Sequence, residues 1–212
     1  MGSEQGGVVL DLDGTLVDSV YVHVVTWVDA LAAEGVARPM WVVHRAIGLG
    51  SSRLVPHVLG EVPDPELAQR LIEGHSRRFL ERAEDLLPTP GAVQLLEDLQ
   101  QRDIPTVIAT SAAGEERAAL MAVIGDPDFE VTDADGADDS KPGPAPLVLA
   151  ARQLPATAAI VMVGDTVWDG HAALRAGLRF VGVRCGGIST TEMEKAGADL
   201  VVDDPAGLIG VL

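Results

Sequence analysis

Short apolar runs of strand length alternate with helical segments after about residue 88, and this alternation constrains the fold more than any other feature of the chain. Candidate strands run from Pro105 to Ala109, Ala159 to Val163, Phe180 to Val183 and Leu200 to Val202, with a weaker one near Phe129 and Val131. Between them, "AVQLLEDLQ", "PAPLVLAARQL" and "DGHAALRAG" carry helical patterns bounded by Pro or Gly. Strands and helices alternating at these lengths indicate βαβ units wound into a parallel sheet, an α/β fold. Val8, Val9 and Leu10 form one more continuous apolar run, as a strand covered on both faces does, and should join that sheet.

Residues 17–86 do not follow the alternation. "SVYVHVVTWVDALAAEG" places Val20, Val24, Trp27 and Leu31 on one helical stripe, and "PMWVVHRAIG" and "SSRLVPHVLG" are shorter helical segments. "DPELAQRLIEGHSRRFLERAEDL" is long and amphipathic, with Leu67, Leu71 and Leu86 among its apolar positions. The expectation is an all-helical insert over 17–86, with 1–16 and 87–212 forming the α/β core. At 212 residues, 47% of them hydrophobic, the chain can bury a core of that size. No apolar run approaches the roughly 20 residues that span a bilayer, and "MGSEQGG" lacks the basic start and apolar stretch of a signal peptide, so the cytoplasm is the expected location. A formal charge of −17 without a compensating basic cluster opposes nucleic acids and anionic membranes, which leaves small molecules as the expected partners. Cys185, the single cysteine, excludes an internal disulfide and reads as a buried, inert thiol.

Polar residues gather where the strands end. "GGVVLDLDGTLVDS" puts Asp11 and Asp13 directly after the first apolar run; two like charges there suit an oxygen-ligated cation such as Mg²⁺, or else a solvated turn. "TVIATS" ends in Thr110 and Ser111, and "IVMVGDTVWDG" ends in Asp165 and Asp169. In an open α/β sheet the ligand lies beyond the carboxyl ends of the strands, so these groups should face one crevice. Lys141 precedes Pro142 and Pro144, which favours a defined loop over a helix face. Singly, Thr110 reads as a helix cap, Lys141 as a surface charge and the aspartates as turn residues; jointly they have no equally simple structural explanation.

"DLDGTLVDS", "VIATSA", "SKPGPAP" and "VGDTVWDG", in this order, resemble the four motifs of the haloacid dehalogenase-like hydrolase superfamily. The layout is similar to the phosphoglycolate-phosphatase-like and β-phosphoglucomutase-like members, which have a helical cap between the first and second motifs. The resemblance implies a Rossmann-like parallel sheet core and a phosphatase acting on a small phosphate ester through an aspartyl-phosphate. It makes Asp11 the nucleophile and Asp13 the acid/base. It places Mg²⁺ on Asp11, the backbone carbonyl of Asp13 and Asp165, with Asp169 as a further ligand or support. Lys141 and Thr110, with backbone amides near Gly14 and Ser111, would bind the phosphoryl oxygens. A phosphomutase would use the same residues, and a non-catalytic phosphate sensor would keep the fold. Leu10, Ser111 and Leu147 depart from commoner family choices without removing a reacting group.

Inside the insert, Gly48, Gly50, Ser51 and Ser52 read as a flexible break before Arg53, which matches an anion-binding arginine of helical caps. His23 matches a histidine of β-phosphoglucomutase-like proteins, and Trp27 shares its face; substrate contact and packing within the insert both fit these two. Arg45, His75, Arg77, Arg78 and His171 read as solvated helix positions.

Overall fold

The computed structural model describes residues 6–132, 141–155 and 159–212. Six strands form one parallel sheet: β1 (Gly7–Asp11), β2 (Thr106–Ala109), β3 (Glu130–Thr132), β4 (Ile160–Gly164), β5 (Arg179–Val183) and β6 (Ala198–Val202). Their spatial order is β3-β2-β1-β4-β5-β6. The chain therefore leaves β1 toward one edge, then returns across it to build the other half. That reversal leaves a crevice at the carboxyl end of β1.

Helices cover both faces. They are α5 (Ala92–Gln101), α6 (Gly114–Val123), α7 (Ala145–Arg152), α8 (Val167–Ala176) and α9 (Thr190–Lys195). Because successive strand residues point to opposite faces, Val8 and Leu10 of β1 pack with Leu95 and Leu99 of α5, while Val9 packs in the cluster of Leu147 and Ala172. All five residues of β1 are buried, and burial of each large aliphatic side chain contributes about 1.5–3 kcal/mol. The six expected strands are present. β1 is one residue longer at its carboxyl end than the apolar run, since Asp11 pairs with Ala109. Two helices were not anticipated. α6 buries one side chain, Leu120, so its apolar pattern is faint. The six-residue α9 does carry a legible signal, the Ser189/Glu192 capping box.

Between β1 and α5 lie four helices without a strand: α1 (Val20–Ala33), α2 (Met40–His44), α3 (Ser51–Leu59) and α4 (Pro65–Leu80). They hold their own apolar cluster, including Val24, Trp27, Leu31, Leu54 and Leu71. α4 starts where Asp64 accepts from the Glu66 amide at 2.9 Å with Pro65 in its first turn, and it ends before a 3₁₀ turn at Ala83–Asp85. The chain enters and leaves this region side by side. Asp18 N donates to Leu87 O at 2.8 Å and Thr89 N to Leu16 O at 3.0 Å. The flexible break expected before Arg53 is narrower than its Gly/Ser content suggested: Ser51 and Ser52 are helical, Gly50 caps α3, and Arg53 lies in its first turn. Among the described residues, no helix is long and apolar enough to cross a membrane.

Candidate active site

β1 delivers Asp11 into the crevice, β4 delivers Asp165 one residue past its end, and the first turn of α8 delivers Asp169. Ligand oxygens of these three buried carboxylates lie within 4.8 Å of one another. Lys141 is buried against them, forming an ion pair with Asp11 and a second with Asp169 Oδ1 at 2.6 Å. Thr15 Oγ1 bridges the group, lying 3.3 Å from Asp11 Oδ2 and 3.2 Å from Asp165 Oδ1. Asp169 is held from behind: its Oδ2 accepts from the Thr166 hydroxyl at 2.6 Å and from the Thr166 amide at 3.0 Å, which closes the capping box of α8. Helix capping and the orientation of Asp169 are thus one arrangement.

Three carboxylates against one ammonium leave uncompensated negative charge in a buried place. Burial pushes the Asp11 carboxyl up to about 7, with Lys141 opposing and Asp169 adding to the rise. Burial also drives Asp165 well above its ordinary value, reinforced by the charges of Asp11 and Asp169. Burial disfavours the Lys141 ammonium, but Asp11 and Asp169 outweigh it and hold its pKa above the ordinary value. Asp165 Oδ2 has no hydrogen-bond partner among the described residues. A Cβ added at Gly14 or at Gly186 would overlap that same oxygen, so two glycines keep its surroundings open. An all-oxygen, multi-carboxylate group with one unpartnered buried oxygen fits a hard divalent cation such as Mg²⁺.

Asp13 faces the other way. Its Oδ1 accepts from Ser19 Oγ at 2.9 Å and lies 2.8 Å from His23 Nε2 on α1. Burial would raise its pKa, but the bonds from His23 and Ser19 hold it below the ordinary carboxylate value. His23 Nδ1 lies 3.0 Å from His75 Nε2, and His75 stacks on Trp27 with ring centroids 4.2 Å apart. Phe79 stacks on His23 at 4.1 Å. His75 is therefore no solvated helix position as expected. It is 4% exposed, and burial, with His23 beside it, holds its pKa well below the usual histidine value. The helical spacing of His75 and Phe79 on α4 was the available signal, but contact with α1 needed the fold.

An open cleft joins these groups, walled by Asp11, Asp13, Lys141 and Ser111 from the sheet side and by His23, His75 and Trp27 from the helical insert. Ser51 and Glu116, neither singled out from the sequence as site residues, also line it. Thr110 lies buried beside Ser111, and its Oγ1 accepts from the Ala112 amide at 3.0 Å; it is not the N-cap of α6, which is Ala113. Arg53 lies apart. It is exposed and lines a different groove, with His57, Pro142 and Trp168. Cys185 is partly buried and donates to Gly14 O at 3.1 Å; burial first, then Asp165, pushes its thiol up to about 12.

A family profile described as haloacid dehalogenase-like hydrolase matches residues 6–177. A phosphoglycolate phosphatase of Caulobacter vibrioides is 32% identical over 92% of this chain and 85% of its own length. The crystal structure of a hydrolase from Pseudomonas syringae superposes with a TM-score of 0.92 at 33% identity, covering 97% of both chains. A putative β-phosphoglucomutase from Bacteroides vulgatus shares the fold at TM-score 0.86 and 17% identity, over 98% of this chain and 87% of that one. On the profile match, the relative and the parallel sheet with its carboxylate crevice, this chain belongs to the haloacid dehalogenase-like hydrolase family.

Proposed function

We propose that the protein is a Mg²⁺-dependent phosphatase that hydrolyses a small phosphorylated metabolite through an aspartyl-phosphate. The observation that carries this reading is the convergence of Asp11, Asp165 and Asp169 around Lys141 at the carboxyl end of β1. Phosphoric monoester hydrolysis as the class of reaction rests on the family and on phosphatase-named relatives.

Asp11 attacks phosphorus, and the ester oxygen leaves. Asp13, whose affinity for a proton rises when the like charge of the phosphate enters beside it, gives that oxygen a proton and then takes one from the water that cleaves the acyl phosphate. The 2.8 Å contact with His23 aims the Asp13 carboxyl at the cleft. Lys141, with Ser111 and Thr110, meets the non-reacting phosphoryl oxygens, where charge needs stabilising. Asp11, Asp165 and the Asp13 carbonyl would hold Mg²⁺, and Asp169 would orient Lys141. The cation supplies charge neutralisation, which lets an anionic nucleophile approach an anionic ester. The insert over residues 17–86 would act as a cap that closes over the crevice and excludes water. The structure gives no support to Arg53 as a substrate contact, and it has no place in this reading.

The test is phosphate release from a panel of phosphorylated metabolites, 2-phosphoglycolate among them because of the relative's name. Activity should vanish on chelation and return with Mg²⁺ but poorly with Ca²⁺, whose coordination is looser. Full turnover after exhaustive chelation would defeat the reading. A mutase is the second reading, since the His23 contact on Asp13 serves either reaction. Glucose 6-phosphate accumulating faster than free phosphate from β-glucose 1-phosphate, with a trace of bisphosphate, would select it.

A further inference from the structure

All 15 Lys and Arg residues of the chain lie among the described residues, and Lys141 is the one that lines the cleft. Lys141 is already engaged with Asp11 and Asp169 at the phosphoryl end. Guanidiniums of the insert are directed elsewhere. Arg38 donates to the Val58 and Leu59 carbonyls, Arg45 pairs with Glu192, and Arg53 lines the outer groove. The two cleft histidines face Asp13 and each other.

The rest of the wall has a consistent character. Trp27, Ile47, Leu49 and Leu54 make it apolar, Ser51 supplies a hydroxyl, and Glu116 adds a carboxylate. We propose that the substrate is a phosphate monoester whose alcohol carries no second anionic group: a small, uncharged, hydroxyl-bearing alcohol. This rests on the phosphatase reading above and narrows it.

A carboxylate or second phosphate on the leaving group would enter a cleft whose one lysine or arginine, Lys141, is already engaged at the phosphoryl end, and it would be desolvated without a partner. Glu116 and the chain's net charge of −17 would both oppose it. Hydroxyl groups meet no such penalty. They donate to the Glu116 carboxylate and exchange hydrogen bonds with Ser51, while the carbon skeleton lies on the apolar wall.

The experiment compares substrates that differ by one group. Phosphate release with Mg²⁺ is measured for 2-hydroxyethyl phosphate against 2-phosphoglycolate, and for glycerol 3-phosphate against 3-phosphoglycerate. The neutral member of each pair should have the higher kcat/KM by at least about tenfold. The same order is expected for the two members as competitive inhibitors of 4-nitrophenyl phosphate hydrolysis, which reads the cleft even when turnover of both is slow. Equal constants, or preference for the carboxylate member, would overturn the proposal. Absence of 4-nitrophenyl phosphate hydrolysis would instead remove the phosphatase reading beneath it. Glu116→Gln should narrow the neutral-to-anionic ratio at least about threefold, since it removes charge and keeps shape. An unchanged ratio would overturn the part assigned to Glu116.

Discussion

Asp11 and Asp13 stand two residues apart and do different things because their surroundings differ. Asp11 is bound by Lys141 and Thr15 within the carboxylate group, whereas Asp13 turns to Ser19 and His23 across the boundary with the helical insert. The proposed division into nucleophile and proton donor follows that split. Asp11→Asn keeps size and removes the attacking charge, so kcat should fall by roughly four orders of magnitude or more, as when a nucleophile is lost elsewhere. Its circular dichroism and thermal unfolding should stay close to wild type, since the variant removes a buried charge from a crowded group. Turnover near the wild-type rate in a clean preparation would exclude Asp11 as the nucleophile.

At the scale of elements, the crevice is made by strand ends and the turns behind them. Gly186 sits in the 3₁₀ turn at Arg184–Gly186 after β5, and His44 Nε2 reaches its carbonyl at 2.9 Å. An added Cβ there would overlap Asp165 Oδ2, the buried oxygen without a partner. Gly186→Ala should therefore raise the Mg²⁺ concentration needed for half-maximal activity by at least about tenfold, as supporting changes at metal sites do. A metal titration identical to wild type would place Asp165 outside the cation site. Capping at α8 makes a second, separable case. Thr166→Val deletes the hydroxyl that caps the helix and holds Asp169, and it should cost about 1 kcal/mol in urea unfolding. Activity should fall with it, because Asp169 is also the partner of Lys141.

For the molecule as a whole, the buried carboxylates tie stability to pH and metal. In protein stripped of divalent cations, Asp11 has its pKa raised to about 7 and Asp165 has its own raised well above the ordinary value. A folded state with raised carboxyl pKa values binds more protons than the unfolded chain, so stability falls as pH climbs from about 4 through 7. Mg²⁺ binds the ionised group and offsets that loss. The rise in Tm on adding saturating Mg²⁺ should accordingly be larger at pH 8 than at pH 5. An equal rise at both values would show that the cation does not bind these carboxylates.

Much of this was legible along the chain because it depends on local pattern. Continuous apolar runs of strand length marked all six strands, β3 the most weakly, and the strand-free stretch between β1 and α5 marked the helical insert. Four short motifs marked Asp11, Asp13, Lys141 and Asp165 because each sits at a strand end or in a Pro- or Gly-rich turn with its own signature. What the sequence could not decide was where the long side chains of the insert go. Arg53 and His75 look alike on a helical wheel, as polar residues on amphipathic segments. One is exposed on an outer groove and the other is 4% exposed in a stack with Trp27. The packing of α1 against α4 and the approach of both to the crevice separate them, and those are contacts between segments some fifty residues apart. Periodicity reports which face of a helix is apolar. Which neighbour covers that face, and which polar group is drawn in beside it, is decided when the helices dock.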